Sequence, residues 1–230
     1  MVVFYDFDGT LTPYPVPQYE IFSKCDIDYE AFYNRVIEIT QKMHISVYDA
    51  YYDVFKNVLM EHGFKFNKDV ISLGAENIVF SDGVMEFVPA LKMMGIKQYV
   101  ITSGYKDYVM KTDVAKYLDG VEGTEFRDDD QDGKLDKILT DEDKLECLKR
   151  ICAKENIPYN KVIYLGDGLT DKDAFEFVHK NGGKSIFIGE KNDTYETLNL
   201  YNIIDEVFCR DFCLDGDLFA YIEKYYNDNK

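Results

Sequence analysis

The feature that most limits the fold is a change of rhythm at about residue 84. From there short apolar runs alternate with amphipathic stretches. A helix is expected over about 84–94, closed by Gly95, then a strand at 98–102 and a helix at about 105–118. A helix at about 141–155, a strand at 161–165, a helix at about 171–180 and a strand at 185–188 come next, with two weaker helical or αβ pieces to the end. Strands alternating with helices predict a parallel, doubly wound sheet, because a parallel pair needs a long crossover and the helix supplies it. One further apolar run, Val2 to Tyr5, stops abruptly at Asp6-Phe7-Asp8-Gly9-Thr10, which reads as a buried strand followed by a loop. Residues 121–139 read as a small β excursion around the turn Asp130-Gln131-Asp132-Gly133.

Between the first strand and the alternating part the pattern is different. Pro13-Tyr14-Pro15-Val16-Pro17 cannot continue a strand or a helix and favours a stiff extended linker. From about 18 to 75 the apolar residues fall at helical spacing: Ala31, Val36, Ile37 and Ile39, then Val47, Tyr51, Val54, Phe55, Val58 and Leu59. Ser81-Asp82-Gly83 punctuates the end. The expected architecture is a Rossmann-like α/β core formed by 1–13 and 81–230, with an inserted helical cap at 14–80 whose hinges are the proline run and residues 81–83.

Apolar residues make up 46% of the 230-residue chain, enough for one sizeable core. The formal net charge of −17 argues against nucleic acid and anionic membrane as partners. The N-terminus does not read as a signal peptide, and no apolar run approaches the roughly 20 residues that span a bilayer. Five cysteines, an odd number, suggest reduced thiols and a cytoplasmic location. Oligomeric state is not written in any pattern.

Doubly wound sheets bind ligands at the carboxyl ends of their strands. Asp6 to Thr10 lies after the first strand, Ser103-Gly104 after the second, and Gly166-Asp167-Gly168-Leu169-Thr170-Asp171 after the third. Lys144 stands in the first turn of the helix that leads into that third strand, after Asp141-Glu142-Asp143. Converging acids repel unless a cation lies between them, and Mg²⁺ favours oxygen ligands. Thr102 competes with Ser103, and Lys134, Lys137 and Lys149 compete with Lys144.

Asp6-Phe7-Asp8-Gly9-Thr10-Leu11 and Gly166-Asp167-Gly168-x-x-Asp171, in that order and each after an expected strand, resemble the haloacid dehalogenase superfamily. The resemblance implies a Mg²⁺-dependent phosphomonoesterase acting on a small phosphorylated metabolite. It makes Asp6 the nucleophile and Asp8 the general acid and base. Ser103, Gly104, Lys144 and Thr10 would bind the phosphate, helped by backbone N–H groups near Phe7 and Gly104. The metal set would be Asp6, Asp167, Asp171 and Asp8, the last through its backbone carbonyl. A carboxyl at position 8 favours a phosphatase over a dehalogenase, because an alkoxide leaving group needs an acid. The layout is similar to the phosphoserine phosphatase branch, yet Thr12-Pro13-Tyr14-Pro15 stands where that branch carries an acidic substrate-binding motif. A phosphotransferase or phosphomutase of the same fold is the alternative. A receiver-like phospho-acceptor fits less well, since receivers are shorter and lack an insert.

Other features have plainer readings. Asp128 to Gly133 mimics the start of a calcium loop, but the twelfth position is Leu139 rather than Glu, so a solvated turn is expected. Cys209 and Cys213 have no second ligand pair. His44, His62 and His179 lack metal-like spacing. Tyr33, Tyr48, Tyr51 and Tyr52 read as packing residues.

Overall fold

The computed structural model describes residues 1–15, 20–127 and 133–229. Val16 and Pro17 of the proline run, and most of the acidic turn after Arg127, lie outside the described residues. The strands are β1 (Val2–Tyr5), β2 (Lys97–Tyr105), β3 (Gly120–Phe126), β4 (Leu135–Lys137), β5 (Val162–Gly166), β6 (Lys184–Ile188) and β7 (Glu206–Phe208). They form one sheet in the order β4-β3-β2-β1-β5-β6-β7, parallel except for β4 against β3.

The helices of one turn or more are α1 (Ile21–Lys24), α2 (Tyr29–Met43), α3 (Val47–Glu61), α4 (Lys68–Ile71), α5 (Val84–Met93), α6 (Lys106–Met110), α7 (Asp141–Glu155), α8 (Lys172–Lys180), α9 (Asp193–Asn199) and α10 (Asp217–Asp228). β1 is fully buried on both faces, which is why it reads as a continuous apolar run. Its alternate residues feed two layers. Val3 and Tyr5 join α5, α10 and the helices of the insert, whereas Val2 and Phe4 join α7 and α8. Helices on both faces of a parallel sheet make a doubly wound fold.

Register then fixes where the loops converge. Tyr5 pairs with Val100 on one side and Leu165 on the other, so β1 and β5 end at one level while β2 runs on past them to Tyr105. The chain winds outward in opposite directions from β1 and β5, which places the crevice at their carboxyl ends.

The insert between β1 and β2 is helical, as its periodicity predicts. Asp28 caps α2 and Ser46 caps α3, each accepting a backbone N–H, and His44 ends α2 in the left-handed region at φ 53°. The paired helices pack on the core through aromatic rings: Phe55 meets Tyr105, which stacks on Phe126 at 5.6 Å and 12°. The expected helix over 105–118 is shorter. It ends at Met110, because Thr112 turns both its amide and its hydroxyl onto the Val109 carbonyl, and a 3₁₀ turn comes next at Ala115–Tyr117. Among the described residues no helix is long and apolar enough to cross a membrane, and all five cysteines are free.

Candidate active site

Asp6 extends β1 by one ladder bond, its N–H donating to the Leu165 carbonyl at 2.8 Å, and its side chain is buried at the sheet edge. Its Oδ1 accepts the Phe7 N–H at 2.8 Å. The loop then turns sharply at Gly9, with φ 80°. A Cβ there would lie 2.1 Å from Asp167 Oδ2, so only glycine lets the two loops meet. Thr10 bridges them from the other side, its hydroxyl donating to Asp167 Oδ1 at 3.3 Å.

Lys144 reaches the same point from α7. Thr140 and Asp143 form a capping box that starts this helix, and the next residue is Lys144, only 1% exposed. Its Nζ bridges Asp171 Oδ1 at 2.8 Å and Asp6 Oδ2 at 3.1 Å. Asp171 is wholly buried and also accepts the Tyr164 hydroxyl at 2.7 Å and the Gly168 N–H at 3.2 Å. Carboxylate oxygens of Asp6, Asp167 and Asp171 all lie within 4.8 Å of one another. Oxygens around an octahedral Mg²⁺, bound at about 2.1 Å, stand about 3 to 4 Å apart, so this buried, oxygen-only set fits a small hard cation.

Residues 3–176 match the profile of the haloacid dehalogenase-like hydrolases. The chain belongs to that family. A curated relative, the phosphoserine phosphatase of Idiomarina loihiensis, is 28% identical over 142 residues, covering 60% of this chain and 64% of the relative, less than two thirds of its length. A substrate-bound phosphoserine phosphatase structure superposes with a TM-score of 0.68 at 20% identity over 97% of both chains. Cytosolic 5′-nucleotidase IIIB bound to cytidine gives 0.60 at 19% identity, over all of this chain and 87% of the other. At such identities the structural likeness is one of fold.

Of the other expected residues of this hydrolase, Asp8, Ser103 and Gly104 line a cavity that Asp6, Asp167, Asp171 and Lys144 do not border. Thr170 borders it too; its volume is about 260 Å³ and the insert roofs it. Asp8 is not part of the three-carboxylate group. Its Oδ2 would stand 2.8 Å from a Cβ on Gly104, so Asp8 and Gly104 face each other across the floor. β2 runs on to Tyr105 instead of stopping at 102, with a register shift against β3 between Ile101 and Tyr105 that falls on Ser103 and Gly104. The Ser103 hydroxyl is buried and makes no hydrogen bond of acceptable geometry; the Tyr48 hydroxyl beside it donates to Asp141 instead. The Thr102 hydroxyl accepts the Gly104 N–H at 2.9 Å. The amides expected to cradle phosphate, those of Phe7 and Gly104, are therefore paired with Asp6 and Thr102.

Burial pushes the Asp6 carboxyl well above the usual range; Lys144 opposes this, and Asp171, Asp167 and Asp8 reinforce it. Burial and then Asp171 push Asp167 up to about 7, against Arg210 and Lys144. Burial works against the charge of Lys144, yet Asp171 and Asp6 hold it above the ordinary lysine value. The centre thus carries more negative charge than its one buried lysine can balance.

Two residues of the site are not legible in the sequence. Arg210 stands just after β7, donates through Nε to the Gly9 carbonyl and lies 3.8 Å from Asp167 Oδ2. Like Asp6 and Asp167 it comes just after the carboxyl end of a strand, but a strand of three residues, β7, leaves no pattern that marks its end. Tyr164 hides within an apolar strand, where nothing marks its hydroxyl as functional. The tyrosines Tyr33, Tyr48, Tyr51 and Tyr52, expected as packing residues, border the cavity together with Tyr29.

Proposed function

We propose that this hydrolase is a Mg²⁺-dependent phosphomonoesterase acting on a small phosphorylated metabolite, with Asp6 as the phosphoryl acceptor. The observation that carries the reading is the convergence of Asp6, Asp167 and Asp171 within 4.8 Å, with Lys144 joining Asp6 to Asp171, and with Asp8, two residues after Asp6, bordering a cavity. Asp6, Asp167 and Asp171, with the Asp8 backbone carbonyl, would hold Mg²⁺, which when bound supplies charge neutralisation for the phosphoryl oxygens.

The protein's own groups then have distinct tasks. An Asp6 carboxylate oxygen attacks phosphorus while the ester P–O bond breaks, giving an aspartyl phosphate and an alkoxide. The Asp8 carboxyl delivers its proton to that alkoxide. The resulting Asp8 carboxylate takes a proton from water as the water oxygen attacks phosphorus, releasing inorganic phosphate and restoring Asp6. Lys144 opposes the rise that burial imposes on Asp6, favouring its charged form, and would face the transferred charge. The Ser103 hydroxyl, which makes no hydrogen bond of acceptable geometry, would donate to a phosphoryl oxygen, with Gly104 leaving room for it, and Thr10 holds Asp167 in position. The insert at 14–80 acts as a lid over the core of 1–13 and 81–230, excluding water during attack.

The test is hydrolysis of p-nitrophenyl phosphate by the intact chain. Activity should need Mg²⁺, vanish with a chelator, return on adding the metal, and disappear in Asp6→Asn. Full activity in Asp6→Asn removes the nucleophile assignment.

A further inference from the structure

The cavity above Asp8 has walls of an unusual composition. Five tyrosines of the insert border it: Tyr29 and Tyr33 of α2, and Tyr48, Tyr51 and Tyr52 of α3. Its described lining includes no lysine, arginine or histidine, and its one carboxylate is Asp8. Residues 16–19, next in sequence to the lining residue Pro15, are Val-Pro-Gln-Tyr and bring no charge.

Two of these phenols direct their hydrogens into the protein. Tyr48 donates to Asp141, and Tyr52 donates to the Ser103 carbonyl at 2.6 Å. A phenol that donates to a carboxylate becomes richer in electrons, which strengthens the negative face of its ring. The rings also stand in crossed orientations. Tyr29 and Tyr33 are nearly parallel to each other at 17°, whereas Tyr51 and Tyr52 meet at 83° with centroids 5.4 Å apart. A flat aromatic guest needs two parallel walls; a compact cation is satisfied by ring faces from several directions. An anionic guest would find no cation here and would face Asp8. A neutral guest would gain apolar burial alone. A positively charged guest gains the ring faces from several sides and meets no opposing cation.

We propose that the substrate of this site is the phosphate monoester of a small alcohol bearing an ammonium head, held in the tyrosine box while its phosphoryl group meets Asp6. This rests on the phosphatase reading and deepens it.

The experiment compares kcat/KM for choline phosphate and ethanolamine phosphate with that for 3,3-dimethylbutyl phosphate, the uncharged carbon isostere of the former. Phosphoserine and p-nitrophenyl phosphate complete the set, and each is measured on wild type, Tyr33→Leu, Tyr33→Phe and Asp6→Asn. Tyr33 is 42% exposed, so its replacement leaves the fold intact. At least one ammonium substrate should exceed the isostere by about tenfold or more. That ratio should fall several-fold in Tyr33→Leu and persist in Tyr33→Phe, which keeps the ring. Equal values for the charged and uncharged isosteres, with hydrolysis still dependent on Asp6, overturn the ammonium head and leave the phosphatase reading standing. Hydrolysis of none of the five esters, or hydrolysis that survives Asp6→Asn, overturns the phosphatase reading itself.

Discussion

Replacing Asp167 with Asn should make the metal-free protein more stable at alkaline pH while destroying its activity. Asp167 has its carboxyl pushed from an ordinary 3.8 up to about 7 by burial and by Asp171. A carboxyl raised in the folded state contributes stability at low pH, and that contribution is lost as pH rises through the folded value. In wild type the loss proceeds between about pH 4 and pH 7, at about 1.4 kcal/mol per pH unit. Across pH 5 to 7 alone it reaches about 3 kcal/mol as an upper figure. The Asn variant escapes this loss. It gives up the 3.3 Å bond from Thr10 and the 3.8 Å pairing with half-exposed Arg210. The hydrogen bond contributes about 1 kcal/mol, and the Arg210 pairing, which exists only once Asp167 is ionised, is already contained in the value of about 7. The two proteins should therefore be nearly equal at pH 5, with the variant ahead by about 3 kcal/mol at pH 8. Urea unfolding in the presence of a chelator reads this directly, from midpoints and slopes. Adding Mg²⁺ should reverse the order at pH 8, since a ligand at 1,000 times its Kd stabilises by about 4.1 kcal/mol and only wild type keeps the full carboxylate set. A stability difference that stays constant between pH 5 and pH 8, or a variant less stable at pH 8 in chelator, refutes the reasoning.

Lys144→Met should lower stability by about 3 to 5 kcal/mol at pH 7, because Asp6 and Asp171 lose the cation buried between them, and the deficit should shrink on acidification as Asp6 protonates; thermal melts at two pH values check it. Asp8→Asn should keep the fold and lower kcat by about 10² to 10⁴, with a smaller loss on p-nitrophenyl phosphate than on alkyl esters, because nitrophenolate leaves without an acid; steady-state kinetics on both ester types is the measurement. Gly9→Ala should weaken Mg²⁺ activation in a metal titration, since the new Cβ would stand 2.1 Å from Asp167 Oδ2 on a backbone at φ 80°, and should cost at least about 1 kcal/mol in urea unfolding.

Much of this is legible because local chemistry and global topology agree. Asp6 stands where an apolar strand ends, and Lys144 comes directly after a helix start written plainly in Thr140 and Asp143. Asp171 resembles a helix cap in sequence; in the structure its side chain caps no amide of α8 and instead gathers Lys144, Tyr164 and Gly168. The tyrosines of α2 and α3 are harder. Helical periodicity says which face of a helix is apolar, but not whether that face meets protein or encloses space. Arg210 is invisible for another reason: Glu206–Phe208 is too short to carry a strand pattern, so nothing in the sequence ties its end to the end of β1.

The grip of Arg210 on the Gly9 carbonyl joins the seventh strand's loop to the first. A chain emerging from the ribosome exposes its aspartates long before the guanidinium that clamps their loop has been synthesised. Nascent protein therefore lacks that clamp until translation has passed residue 210, and the core residues Phe212, Leu218 and Ile222 arrive later still.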